Sequence, residues 1–313
     1  MDCSINYTNG AIEQTKCPTM KTVLNLLHCD DDDDDDVKTC YFKRNSGKDH
    51  FILLSINAPM WHFIGHDNWD LYRECYNCTK LAIDTYPEAL YSTLKHNNFL
   101  SYNWHSIPFP SSFHNNKNAQ ELPWKTRANS NNRQYSLSFV GSLKVTSKLN
   151  KRLRETLMNE CSNRKNECSL NKLNSHDSHS ITNIIQSLPY ANSVLCLMPG
   201  GDFPTRKGVL DAMLYGCIPV VFSMYTAHYQ MSWFWKTIEK ANDCMIYIDR
   251  QHAMNNISTV FDQLLDMSRN VSFIETKLSC ISSVGSSLQY NKPFSSPHEN
   301  DAVSVILDKL LQQ

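Results

Sequence analysis

An α/β fold with parallel strands is predicted for this chain. Short apolar runs alternate with helical patterns from residue 135 onward, and glycines stand where those runs must stop, at Gly141, Gly200, Gly201 and Gly216. Such alternation implies βαβ units, because a parallel strand needs a crossover before its neighbour can join the sheet.

The elements follow in order. Residues 1–45 hold little pattern beyond a short helix over 20–27. Residues 30–36 are seven consecutive Asp, self-repelling and low in complexity, and read as a disordered surface loop. Strand-type runs cover 51–56, 80–84, 99–102 and the approach to Ile107. Ile107-Pro108-Phe109-Pro110 must be extended, since each Pro disfavours helix at the residue before it. Residues 114–134 are polar and rich in Asn, a linker between an N-terminal domain (1–113) and a C-terminal domain (135–313). A strand over 135–140 then stops at Gly141. Ser147 can cap a helix in which Leu149, Leu153 and Leu157 recur every four residues, ending near Cys161. Residues 162–179 are polar and irregular, 181–188 suit a short helix, and 193–198 suit a strand. Thr205 can cap a helix that runs to about Tyr215 and is stopped by Gly216. Strands over 217–222 and 245–248 and helices over 259–267 and 302–311 complete the pattern.

Composition bounds the function. With 313 residues, 41% hydrophobic and 19% charged, the chain can pack two ordinary domains. A net charge of −1 gives no pull toward nucleic acid, and neither nucleic acid nor an acidic membrane is an expected partner. Setting the seven-Asp run aside leaves +6, a mildly basic body suited to a phosphate-bearing ligand. The 12 cysteines are even in number, and Asn-x-Ser/Thr sequons occur at Asn6, Asn77, Asn256 and Asn270. Both favour a secretory lumen such as the Golgi over the cytosol. No run approaches the ~20 apolar residues of a membrane span, so no anchor is visible and a lumenal chain would need a targeting signal ahead of Met1. Cys196 and Cys217 lie in apolar runs and read as buried thiols. Cys75 and Cys78 form a lone CxxC without a second ligand pair and read as structural cysteines. The Asp run contains Asp-x-Asp triplets, but in a charged stretch instead of at the end of an apolar strand, so no metal site is assigned.

Residues 198–222, MPGGDFPTRKGVLDAMLYGCIPVVF, carry the chemistry. An apolar strand delivers the chain to a Gly-Gly turn, and a helix begins just after it. Amides at a helix start lack partners within the helix, and the helix dipole favours an anion there. Gly200 and Gly201 allow close approach to the backbone. Thr205 offers a hydroxyl. Arg206 places a cation in the first turn against the dipole's preference, a conflict that an anionic ligand would resolve. Gly208, three residues before Asp211, leaves that helix face uncovered, so the Asp211 carboxylate can accept from ribose hydroxyls. The plainer alternative is a βαβ unit with an ordinary tight turn.

Residues 193–222 resemble the C-terminal signature of the exostosin family of glycosyltransferases: an apolar strand with Cys and Leu, a Pro-Gly-Asp turn (here with an extra Gly), Thr-Arg, an acidic residue heading Ala-Met-Leu, then Gly-Cys-Ile-Pro-Val. Residues 45–51, 107–113 and 135–141 resemble further family blocks in the same order, the last followed by a helix with Arg154 seven residues before Cys161. The resemblance implies a GT-B architecture, two Rossmann-like domains facing a cleft, with the N-terminal one shortened here. It implies metal-independent, inverting transfer of a sugar from a UDP- or GDP-sugar to a glycan or glycoprotein acceptor, with no separate cofactor. Carried onto this chain, Arg154 and Arg206 would hold the diphosphate, Gly141, Gly200, Gly201, Asp202 and Thr205 would line it, and Asp211 would take the ribose. Such transfer requires a base for the acceptor hydroxyl. His62, His66, Asp67 and Asp70 are candidates, with the alternative that they are surface loop residues. Asp49 and His50 match a block that reads as structural, and His228 follows the donor strand. Trp233, Trp235, Tyr225, Tyr229 and Phe234 can stack on a sugar or pack in a core. A degenerate family member that binds nucleotide-sugar or glycan without catalysis is the alternative function.

Overall fold

The computed structural model describes residues 7–8, 11–12, 48, 50–54, 77–83, 104–111, 133–173, 189–202, 205–223, 226, 234–235, 238–290 and 301–312. The chain divides into two compact units, Met1–Ser106 and Ile107–Gln313. The expected helix over 20–27, the Asp run, the strand over 99–102, the helix over 181–188 and all but the last two linker residues lie outside the described residues.

In the first unit, β1 (Tyr7–Thr8) pairs antiparallel with β2 (Ala11–Ile12). β3 (Phe51–Leu54), β4 (Thr79–Ala82) and β5 (Trp104–Ser106) form a parallel sheet in that order. These three match the strands expected over 51–56, over 80–84 and before Ile107. Leu81, Ala82 and Ile83 are buried, and Ser106 Oγ donates to the Ile83 carbonyl at 3.4 Å.

The second unit is built on five parallel strands: β6 (Tyr135–Gly141), β7 (Cys168–Lys172), β8 (Ser193–Met198), β9 (Ile218–Val221) and β10 (Ile246–Tyr247). Their spatial order is β10-β9-β8-β6-β7. The chain steps from β6 outward to β7, returns to β8, and continues the other way to β10. The direction therefore reverses between β6 and β8, and in open α/β sheets ligands bind beyond the carboxyl ends of the strands at such a switch point. Leu137, Phe139, Leu195 and Leu197 are fully buried, as residues of central parallel strands covered on both faces are. β7 corrects the expectation of an irregular 162–179. Its sequence CSLNK is polar because it forms the edge of the sheet, with only Cys168 buried.

Helices complete the described part of this unit. α1 (Lys148–Asn163) is capped by Ser147, whose side chain accepts from Asn150 N at 3.3 Å. Leu153, Leu157, Met158 and Cys161 face the core, whereas Leu149 is 48% exposed and lies off the expected stripe. α2 (Lys207–Leu214) links β8 to β9. It ends in a Schellman motif: Gly216, at φ 69°, donates to Met213 O at 2.9 Å, and Cys217 N donates to Ala212 O at 2.8 Å. α3 (Ile238–Cys244) precedes β10, and α4 (Arg250–Asn255) follows it, capped by Asp249. α5 (Ile257–Arg269) buries Val260, Phe261, Leu264 and Leu265 against α1 and the sheet. α6 (Val271–Val284) and α7 (Ala302–Leu311) follow, the latter capped by Asp301.

The cysteine expectation is also corrected. Cys196 and Cys217 form a disulfide, with Cα atoms 5.9 Å apart. The Schellman turn delivers Cys217 to the start of β9, beside the strand that carries Cys196, within disulfide reach. Cys161–Cys168 joins the end of α1 to β7, and Cys244–Cys280 joins α3 to α6. Cys78 is disulfide-bonded as well.

Candidate donor site at the sheet switch point

The carboxyl ends of β6 and β8 meet residues 199–202 in a turn whose first three carbonyls accept from side chains. Arg206 Nη1 donates to Pro199 O at 2.6 Å, Arg154 Nε to Gly200 O at 2.9 Å, and Asn150 Nδ2 to Gly201 O at 2.6 Å. In a planar trans peptide the C=O of one residue and the N–H of the next point in opposite directions. Pinning these three carbonyls therefore turns the amides of Gly200, Gly201 and Asp202 the other way. Among the described residues those three amides donate to no protein acceptor. Three successive N–H groups without a protein acceptor offer donors to an anion. Residues 205–208 add further polar groups. The Thr205 hydroxyl is buried and has no hydrogen-bond partner, and the first amides of α2 lack acceptors within the helix.

The two arginines tie the turn to β6. Arg154 Nη1 donates to Ser142 O at 2.5 Å, and Arg206 Nη2 reaches Val140 O at 3.4 Å. Arg154 comes from the buried face of α1, and its Nη2 lies 3.6 Å from where a Cβ on Gly201 would sit. A Cβ on Gly141 would come within 3.6 Å of Arg154 Nη1 and 3.3 Å of the Phe139 ring. Burial first, and then the neighbouring charge of Arg206, lower the Arg154 guanidinium to about 10, with Asp202 opposing both. Arg206 is likewise lowered by burial, with Tyr190 opposing. Each guanidinium is disfavoured in its charged form where it stands, and an anion on the turn would relieve that.

The sequence expectations map onto this geometry with several changes. Gly141, Arg154, Gly200, Gly201, Asp202, Thr205 and Arg206 converge here. Arg206 occupies the N-cap position of α2, in place of a first-turn position, and its guanidinium folds back onto the turn's carbonyls. Thr205 is not the cap. Asp202 Oδ1 accepts from Thr146 N at 2.5 Å and Thr146 Oγ at 2.7 Å, binding the loop after β6 to the turn. Asp211 is buried, accepting from Ser111 Oγ at 2.7 Å and Lys207 Nζ at 2.6 Å. The face of α2 at Gly208 is not uncovered: a Cβ there would lie 3.1 Å from the Tyr190 hydroxyl and 3.3 Å from Met198 Sδ. The segment around Pro108, expected at the end of the first domain, belongs to the second unit, where Tyr290 Oη donates to Pro108 O at 2.9 Å. Trp235 is buried in the core. His62, His66, Asp67, Asp70, Asp49 and His228 lie outside the described residues, and the His50 carbonyl accepts from Thr79 N at 3.0 Å.

Sequence reading missed two contributors, Asn150 and Arg250. Arg250 Nη1 donates to Asn150 Oδ1 at 3.3 Å, across a chain separation of 100 residues. No local pattern announces such a contact. Among the described residues no cluster of His, Cys, Asp and Glu could hold a metal ion, and no helix is long and apolar enough to cross a membrane.

A parallel sheet whose strand order reverses beside this turn defines an α/β domain of doubly wound topology. Residues 27–260 match the Exostosin GT47 domain, and the chain belongs to that family. Two Arabidopsis thaliana proteins are similar to it. Xyloglucan-specific galacturonosyltransferase 1 is 27% identical over 231 residues, 72% of this chain and 32% of that protein. Probable xyloglucan galactosyltransferase GT12 is 28% identical over 275 residues, 85% of this chain and 50% of that protein. The chain thus spans a third to a half of the length of these relatives. Among solved structures, the GtfA/B complex aligns over 89% of this chain and 63% of that one, at 12% identity and a TM-score of 0.35.

Proposed function

We propose that this protein is a glycosyltransferase whose second unit seats the diphosphate of a nucleotide-sugar on residues 199–202 and releases the sugar to a glycan acceptor. One observation carries the reading: side chains hold three consecutive carbonyls at the switch point, and the three amides opposite them donate to no protein acceptor among the described residues. When the glycosidic bond to the donor phosphate breaks, negative charge develops on the leaving diphosphate. Pre-set amides, the start of α2 and the fields of Arg154 and Arg206 oppose that charge without reorganising, which is the large electrostatic contribution to such a reaction. Direct displacement by an acceptor hydroxyl then inverts the anomeric centre, and this transfer is proposed to need no metal. The hydroxyl's proton must pass to a base. His66, Asp67 and Asp70 keep their standing as candidates from sequence.

The acceptor is proposed to be a polysaccharide of the xyloglucan type, from the names that the relatives bear. A secretory compartment such as the Golgi is proposed from the disulfides, which persist in oxidising surroundings.

Thermal shift with UDP, GDP and their sugars tests the donor site. At a ligand concentration of about 100 Kd, binding stabilises by about 2.7 kcal/mol. One of these nucleotides is expected to raise Tm by several degrees in the wild-type chain, and the shift is expected to disappear in Arg206→Ala. Equal shifts in both proteins would remove the assignment.

A further inference from the structure

The pairing of Arg250 with Asn150 has no role in the scheme above, and it is costly. Arg250 is the first residue of α4 and is half-buried, and its Nε is buried without a hydrogen-bond partner. An unsatisfied buried donor of this kind is destabilising, so packing alone is a poor reason to keep an arginine there. What Arg250 does achieve is orientation. An Asn side chain has one acceptor oxygen and one donor nitrogen, and it can flip between them. Arg250 has donors only. By occupying Oδ1 it fixes Asn150 with Nδ2 turned to the Gly201 carbonyl. Gly200 packs against the same amide: a Cβ added there would fall 2.9 Å from Asn150 Nδ2.

We infer that Arg250 is a positioning residue for the donor site, acting through Asn150 as a latch on the carbonyl of Gly201. The relay Arg250 Nη1–H to Asn150 Oδ1, then Asn150 Nδ2–H to Gly201 O, joins the start of α4, the first turn of α1 and the glycine turn. It holds the peptide between Gly201 and Asp202 so that the Asp202 amide faces the anion. Its donors carry no other described contact to the turn. The inference rests on the donor-site reading above, and its test separates the two.

The test is a double-mutant cycle on the full chain, using UDP and GDP as probes in calorimetric titration. Arg250→Ala and Asn150→Ala are each expected to weaken binding roughly tenfold, the scale of one lost charge-assisted hydrogen bond. The double variant is expected to lose no more than either single one. Arg250→Lys, which keeps a donor, is expected to recover part of the affinity. Asn150→Asp separates positioning from simple stability. A carboxylate still pairs with Arg250 but cannot donate to Gly201 O, so Tm without nucleotide should hold while affinity falls as in Asn150→Ala. Wild-type affinity in Arg250→Ala would overturn the latch while leaving the donor site standing. Additive losses would overturn it too, since they mean that Arg250 meets the ligand directly. If the wild-type chain binds neither nucleotide, the donor-site reading falls, and the latch with it.

Discussion

Asn150 Nδ2 donates to the Gly201 carbonyl at 2.6 Å, and this contact makes one helix turn and one glycine turn a single object. The consequences reach both stability and binding.

Substitution at the two adjacent glycines should separate cleanly. A methyl at Gly200 would meet Asn150 Nδ2 at 2.9 Å, and that amide cannot swing away without releasing Gly201 O. Gly200→Ala is therefore expected to cost roughly 1–3 kcal/mol, as overpacking does, and to abolish nucleotide binding. At Gly201 the nearest atom is Arg154 Nη2 at 3.6 Å, an ordinary contact, so Gly201→Ala should leave stability nearly unchanged. Urea unfolding of the two variants is the measurement. Equal stabilities would refute the packing described for Gly200.

The disulfides should rank by the loops they close. Cys196–Cys217 spans 21 residues and Cys161–Cys168 spans 7. Loop-closure entropy gives about 3.3 and 2.4 kcal/mol respectively. Replacing Cys196 and Cys217 together by Ser is expected to lower the urea midpoint more than replacing Cys161 and Cys168. It should also weaken nucleotide binding, because Cys196 lies on the strand that leads into the turn. Unchanged stability in both double variants would mean that the bridges do not form.

In the first unit, burial holds the His105 imidazole down at about 4, against an ordinary 6.5. The unfolded chain then binds a proton between pH 6.5 and 4 that the folded chain refuses. Stability from this group is complete above pH 6.5 and is lost as pH falls toward 4. His105→Gln should flatten that slope, as read by unfolding midpoints at pH 7, 5 and 4. An unaltered slope would place the acid sensitivity elsewhere.

Much of this frame is legible in the sequence, because local rules decide it. Apolar runs ended by glycine gave β6 and β8, Ser147 capped α1 as its position suggests, and the start of α7 at Ala302 matched its spacing. What escaped was decided by tertiary structure. β7 is an edge strand, so its polar residues carry no strand signal. Leu149 fits the four-residue spacing yet faces solvent, because the buried face of α1 turns to take in Arg154. Cys196 and Cys217 look like core residues in sequence and are core residues, but their proximity depends on the Schellman turn at Gly216. Within the site, glycine, threonine and arginine near a strand end point to an anion. The manner of it, arginines bracing carbonyls so that amides face out, depends on Asn150 and Arg250, whose contact no local pattern encodes.

The amides themselves give the most direct test. In a TROSY titration of the 15N-labelled chain with UDP and GDP, the amide protons of Gly200, Gly201 and Asp202 are expected to move downfield together and saturate with a common Kd, as hydrogen bonds to phosphate form. Saturable binding that leaves those three resonances in place while shifting others would contradict the account.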